Sequence, residues 1–317
     1  MNETTERIHV ELLINVARRY WIEQESQAKI AEEIGYSRSM VSRLLDEARR
    51  REIITFTVSH PLERAIELEQ NLAERFGLDC ARVALSPADV RPSETLRLAA
   101  ELLRERLTAD SVLAITNGRT VSGVVSEFIP TRKPHATVVQ AIGSIARDNH
   151  IVDSPEICLA MADRLKSSYQ LLPAPLIVRS ATVAAALRKE GSVSMTTAMA
   201  SHADVLITGI GATSPGSDGI IFRHLISRAE HEELLAAGAV GHICGHHIDA
   251  SGRHIDNDLC RRILAIPFDR LAGIEHLIAV AWGREKVQAI RASLKCGYVN
   301  HFVTDMETAR LVLDGDG

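Results

Sequence analysis

Apolar residues Ile8, Leu12, Leu13, Val16 and Tyr20 recur at spacings of three and four, the period of a helix with one buried stripe. After a break at Glu25-Ser26, the pattern predicts a short helix over 27–34 and a turn at Gly35. A third helix follows from Ser37, a good N-cap, to about Arg51. The β-branched run at 53–58 reads as a strand. His60-Pro61 punctuates the chain, and Leu62, Ile66, Glu69, Leu72, Ala73 and Phe76 suggest a linker helix within 60–80 that ends at Gly77. Beyond it, short apolar runs alternate with helical stretches. Strands are predicted over 82–85, 112–116, 137–142, 176–178, 205–210 and 278–282. Helices are predicted over 93–107, 120–128, 154–167, 182–189, 227–236 and 285–294. Such alternation implies an α/β fold with a mostly parallel sheet covered on both faces. The division expected is a helical domain over 1–59 and an α/β domain over 60–317.

The chain has 317 residues, enough for about two domains. Its 24% charged and 46% hydrophobic residues are those of a soluble globular protein, which excludes disorder and a disulfide-stapled miniprotein. A net charge of -5 means that nucleic-acid binding must come from a local basic patch. No two of Cys80, Cys158, Cys244, Cys260 and Cys296 stand at C-x-x-C spacing, so reduced cysteines in a cytoplasmic protein are expected. The acidic start, Met1 to Glu6, has no apolar segment of a signal peptide, and apolar runs such as 276–282 are too short to span a bilayer. No membrane partner is expected.

The segment 27–45 fits a helix-turn-helix residue for residue. Ala31 supplies the small residue where two short helices cross, and Gly35 supplies the positive φ of the turn. Ile30, Ile34, Val41 and Leu44 fall at the buried positions. The second helix then presents Ser37, Arg38, Ser39, Ser42 and Arg43 to a major groove, with Gln27 opening the first. Arg38, Arg43, Arg49, Arg50 and Arg51 against Asp46 and Glu47 make this patch positive on an acidic chain. The alternative is a three-helix bundle for protein contact whose arginines merely solvate a face. Double-stranded operator DNA is the expected partner, and such modules act on paired half-sites, which implies a homo-oligomer.

A second candidate site lies at strand ends. The run 112–116 leads into Asn117-Gly118-Arg119-Thr120 and a helix, where backbone N–H groups and the helix dipole can hold an anion. A plain βα turn is the alternative. Gly143-Ser144 and Gly209-Ile210-Gly211 also follow strands, although glycine could serve loop geometry alone there. The latter lacks the third glycine of a dinucleotide fingerprint, so NAD is rejected and no cofactor is expected. Lys286 opens the last of these helices, where a cation can reach a phosphate or a sugar hydroxyl; a solvated lysine is the alternative.

With these two parts in order, the chain resembles the SorC family of sugar-responsive bacterial transcriptional regulators. The likeness is carried by Leu172-Pro173-Ala174-Pro175-Leu176, by the stretch 203–211, by Gly238-Ala239-Val240-Gly241, by Asp249-Ala250-Ser251-Gly252 and by the stretches 297–300 and 304–309. The resemblance implies a Rossmann-like effector domain, kin to sugar-phosphate isomerases, that binds a phosphorylated sugar or polyol and assembles as a tetramer. It also implies that the loop at Gly118, Arg119 and Thr120 lines the effector pocket and that Lys286 matches a pocket lysine. The expected effector-binding set is Gly118, Arg119, Thr120, Gly143, Ser144, Gly211, His242, Asp249 and Lys286. Three departures stand out. His242 replaces an acidic residue that contacts the effector in the family, Gly143-Ser144 replaces a glycine pair, and Trp282-Gly283 replaces another.

His242, Cys244, His246, His247 and His254 crowd together and raise a metal-responsive alternative. The run 242–246 alternates like one strand, which puts His242, Cys244 and His246 on one face and His247 on the other, and no standard zinc spacing is met. No metal ligand is assigned. An isomerase-like enzyme using Asp249, His242 and Lys286 is a further alternative, disfavoured because a sensor should release its ligand unchanged. A DNA-organising protein without a ligand is the third. No catalytic residue is expected.

Overall fold

In the amino-terminal part, Leu13, Val16 and Ala17 are buried side chains of α1 (Glu3–Trp21), while Ile8 stays 62% exposed and falls outside the stripe. The Ser26 hydroxyl accepts the Lys29 N–H at 3.2 Å and starts α2 (Gln27–Ile34). Gly35, at φ +71°, ends that helix and donates its N–H to the Ala31 carbonyl. Ser37 caps α3 (Arg38–Arg50) in the same way through the Met40 N–H. Leu13, Val16, Ile30, Ala31, Val41 and Leu44 form the core of this unit, with Ile34 only half-buried against it. No strand begins at Ile53. Glu52 turns left-handed at φ +57°, and the Ile53 N–H bonds back to the Ala48 carbonyl at 2.9 Å, a helix-closing turn that folds Ile53 onto the core. The rest of that predicted strand, 55–58, lies outside the described residues.

The computed structural model describes residues 3–54, 65–145, 153–215, 222 and 225–314, and the chain divides into two units, Met1–Pro61 and Leu62–Gly317. The second unit opens with α4 (Ile66–Phe76), closed at Gly77. It continues β1 (Cys80–Ala84), α5 (Pro92–Arg106), β2 (Val112–Ile115), α6 (Arg119–Glu127), β3 (Thr137–Gln140), α7 (Ser154–Leu165) and β4 (Ser168–Gln170). Next come α8 (Ala181–Leu187), α9 (Gly191–Ser201), β5 (Val205–Ala212), α10 (Arg228–Ala236), β6 (Ala239–Ile243), β7 (His246–Asp249) and α11 (Asp258–Arg261). The chain ends with β8 (His276–Val280), α12 (Val287–Lys295), β9 (His301–Asp305) and α13 (Met306–Leu313).

Seven parallel strands run in the order β1-β9-β8-β5-β2-β3-β4, and an antiparallel hairpin, β6–β7, hangs on β5. Each strand alternates between two cores. Leu113, Ile115, Val205 and Ile207 pack with α5, α6 and α7, whereas Ala114, Leu206 and Ile210 pack with residues of α4, α9, α12 and α13. Each fully buried Leu or Ile here is worth about 1.5–3 kcal/mol of transfer free energy. The free edge of β1 is sealed. The Glu69 carboxylate accepts the Val83 N–H at 2.9 Å, and the Val83 carbonyl accepts the Ala65 N–H at 3.1 Å.

The segment 176–178 is not a strand; Ile177 makes a single bridge to Ile263 and the preceding Pro175 one to Ser144, with the Leu176 N–H on the Ser144 carbonyl and the Val178 N–H on the Arg262 carbonyl. The short polar β4 and the helix α9 between two predicted elements were not anticipated. After β2 the chain winds to β3 and β4 on one side, then crosses to β5, β8 and β9 on the other. That reversal opens a crevice at the carboxyl ends of β2 and β5, where doubly wound sheets bind ligands. No described helix is long and apolar enough to cross a membrane.

Candidate functional site

In the amino-terminal unit, Ser37, Arg38, Ser39 and Arg43 are exposed on one end of α3, Ser42 and Gln27 are partly exposed, and the Ser37 and Ser39 hydroxyls lie 2.9 Å apart. Gln27 and Arg38 line one cavity of about 730 Å³ with Tyr20, Trp21 and Ser26. The ion pairs sort the cations. Arg19 is held by Glu25 at 2.6 Å and also by Glu33, Lys29 is held by Glu25, and Arg51 is held by Glu6 at 2.5 Å and Glu47 at 2.9 Å. Arg51 therefore ties α1 to α3 and drops out of the expected patch. Arg38 and Arg43 make no ion pair among the described residues, so their charge is available to a polyanion.

At the carboxyl end of β2, Gly118 adopts φ +111°, ψ 156°, and no side chain caps α6. The first N–H groups of α6 thus lack side-chain partners at the crevice, where they and the helix dipole attract negative charge. The loop after β8 repeats the device. Gly283 stands at φ +109°, ψ 139°, before the single turn Arg284–Lys286, again without a side-chain cap. Both backbones lie where only glycine is comfortable. Lys286 follows as the residue before α12. Burial pushes its ammonium below its ordinary range; Glu285 opposes this and the nearby Arg119 adds to it. Arg119 is thus near enough for its charge to act on Lys286, and neither makes an ion pair among the described residues. Beside them Asn117 is 1% exposed, with its carboxamide oxygen and nitrogen both lacking a partner among the described residues. Such a buried amide costs about 1–3 kcal/mol unless something binds it.

Two glycines of β5 place further side chains. A Cβ on Gly209 would stand 3.7 Å from the Thr120 Cβ, and one on Gly211 would stand 2.0 Å from the His242 Nε2. Residues two apart share a face of a strand, so Thr120 and His242 stand over one face of β5, about 7 Å apart along it. Gly211 is thus within β5, paired with His242, and not in a loop after it.

The histidine run is two strands rather than one. Cys244 at φ +51° and Gly245 at φ +83° make a two-residue turn, which pairs His242 with His247 across the hairpin. The faces therefore differ from the alternation expected. His242 and His247 lie 5.6 Å apart between ring centroids, with Phe222 4.8 Å and 4.5 Å from them. His246 points elsewhere, its Nε2 donating to the Ile266 carbonyl at 2.7 Å and its Nδ1 3.2 Å from His254 Nε2. Among the described residues no three histidine, cysteine or acidic side chains converge to hold a metal.

Three expected effector residues stand apart from this arrangement. The Asp249 carboxylate is committed to its own turn, accepting from the Ser251 N–H and hydroxyl, the Arg253 N–H and the Arg253 guanidinium. Those bonds hold it well below the ordinary carboxylate range. The turn packs at the far end of α12 from Lys286, since a Cβ on Gly252 would meet the Ala292 carbonyl and the Cys296 backbone. Gly143 is needed for close packing, because its Cβ would fall 2.5 Å from the Pro175 backbone. The Ser144 hydroxyl donates to the buried Asp153 at 2.7 Å. Asn117 and His247 had been passed over. Asn117 stands inside the Asn117-Gly118-Arg119-Thr120 run, but its burial is invisible to a pattern of residue types.

A helical unit with unpaired arginines on an exposed helix end, and an α/β unit with an uncapped helix start at its switch point, define the class of ligand-binding DNA-binding proteins. The sugar-binding domain family matches residues 60–314. The chain is 33% identical to the transcriptional regulator LsrR of Klebsiella pneumoniae subsp. pneumoniae, over 96% of this chain and 93% of that protein. It is 28% identical to the deoxyribonucleoside regulator of Bacillus subtilis, over 96% and 97% of the two chains. The full-length sorbitol operon regulator SorC from Klebsiella pneumoniae superposes with a TM-score of 0.80 at 26% identity, covering 96% of this chain and 99% of that one. The chain belongs to the SorC family of sugar-binding transcriptional regulators.

Proposed function

We propose that this protein binds operator DNA through Gln27, Ser37, Arg38, Ser39, Ser42 and Arg43, and that a small phosphorylated sugar or polyol controls that binding from the crevice at β2 and β5. The observation that carries the effector reading is the buried, unpartnered Asn117 beside the uncapped start of α6, with Arg119 opening that helix and its charge acting on Lys286. A phosphate there accepts from the backbone N–H groups of α6, neutralises the two cations and leaves Asn117 a partner. Thr120 and His242 extend the seat along β5. The effector acts by favouring one arrangement of a homo-oligomer, a tetramer by family likeness, and coupling of about 1–3 kcal/mol changes DNA affinity about five- to hundredfold. The protein works in the cytoplasm and returns its ligand unchanged.

Titrating sugar phosphates into the protein bound to a fluorescent duplex, selected from a random library, tests this. The expected result is a ligand that shifts DNA affinity at least fivefold and is recovered intact. Turnover of the ligand would make the protein an enzyme, and no shift with any sugar phosphate would remove the effector reading.

A further inference from the structure

We propose that the effector carries a second anionic group, a carboxylate, at the end remote from its phosphate, so that it is a phosphorylated sugar acid held by His242 with His247 behind it. This rests on the phosphate seat at α6 proposed above. His242 stands over Gly211 on the face of β5 where Thr120 stands over Gly209. The spacing of about 7 Å between those positions suits a five- or six-carbon chain with one end at Thr120 and the other at the imidazole. His247 pairs with His242 across the hairpin, is fully buried, and has no partner for either ring nitrogen among the described residues. The Thr213 hydroxyl, also buried at the carboxyl end of β5, lacks a partner too.

These groups differ in kind from what a neutral sugar end asks for. A hydroxyl-rich end is best gripped by a carboxylate, which accepts its O–H groups. Here His242 and His247 pack against each other and against Phe222, with further imidazoles near His247 and no carboxylate accepting from its ring among the described residues. An imidazole N–H donates, and a carboxylate is the ligand group that only accepts. Burial away from water strengthens that charge-assisted bond.

Matched ligands test the idea in the full-length protein by calorimetry and thermal shift. Compounds differing only at C1 are 6-phosphogluconate against sorbitol 6-phosphate, and ribonate 5-phosphate against ribitol 5-phosphate. The acid of at least one pair should bind ten times or more tighter than its alditol, equally well with or without EDTA. His242→Asp should abolish that preference, and His242→Asn should weaken the acid while the apo melting temperature reports folding. An alditol bound as tightly as its acid, neither acid binding, or a preference lost in EDTA would each overturn the proposal. Inorganic phosphate examines the seat separately. If Lys286→Ala and Arg119→Ala leave phosphate binding unchanged, the seat itself is wrong, whatever the pairs show.

Discussion

Acidification should unfold the α/β unit well before its carboxylates titrate, because histidines are buried there in neutral form. The geometry assigns their protons. The Ile266 carbonyl can only accept, so His246 carries its proton on Nε2, and its bare Nδ1 accepts from His254 Nε2 at 3.2 Å. A second proton on His246 would set two N–H groups against each other. Burial pushes His246 down to about 4; the Ile266 carbonyl and Asp269 oppose this, while His254 and Arg188 reinforce it. Burial holds His247 well below the ordinary value as well. Both groups bind a proton in the unfolded chain at a higher pH than in the folded one. Their stabilisation is therefore whole above a pH of about 6.5 and is lost as pH falls toward 4. At pH 5.5 the contribution of His246 alone has fallen by about 1.4 kcal/mol, and His247 acts in the same direction. Trp21 and Trp282 are the two tryptophans, one in each unit, so Trp21→Phe leaves Trp282 to report on the α/β unit during urea unfolding. The slope of stability against pH between 6.5 and 5.5 should fall by about one proton in His246→Gln. A stability flat from pH 7.5 to 5.5, or a slope unchanged in that variant, would refute the proton assignments.

Arg38→Ala and Arg43→Ala should each weaken DNA binding by about 1–3 kcal/mol or flatten its salt dependence by about one unit, measured by fluorescence anisotropy across a salt series. Arg51→Ala, which breaks the pairs to Glu6 and Glu47, should instead lower thermal stability with less than a twofold change in DNA affinity. Gly241→Ala puts a Cβ 2.4 Å from that of Ala289 and 2.7 Å from the Gly211 carbonyl, so a loss of about 2 kcal/mol is expected in chemical denaturation. Gly211→Ala puts a Cβ 2.0 Å from the His242 Nε2, so it should displace that buried ring and impair ligand binding, read by calorimetry. Lys286→Ala should blunt the ligand response with operator binding nearly intact when ligand is absent, checked by titrating ligand into the DNA complex.

Legibility in the sequence followed how local each determinant is. The helix-turn-helix needs only spacing within twenty residues, and Ser26, Gly35 and Ser37 act through their nearest neighbours, so it could be read directly. Strand and helix alternation likewise showed in β2, β5 and β8. The hairpin could not be read because its turn begins at Cys244, a left-handed residue that carries no turn signature, and one missed turn reverses every face beyond it. β4 escaped because Ser168-Tyr169-Gln170 has no apolar run, and the edge of a sheet does not demand one. In the crevice, Arg119 and Lys286 were legible as cations after strands, but their approach to each other depends on two crossovers. Asp249 misled because an acidic residue committed to its own turn looks, in sequence, like one waiting for a ligand.

The β6–β7 hairpin lies outside the seven parallel strands and joins them only through the last residues of β5. The proposed ligand preference and the pairing of the seven parallel strands are therefore written in different places. Positions 242 and 247 face each other across that hairpin, both buried against Phe222, so a change at one must be met by a change at the other. A gene duplicate could acquire a new effector by paired drift at these two codons, and a laboratory library would vary the two together. The same scaffold thus lends itself to a series of cellular reporters that differ in what they detect and share one operator.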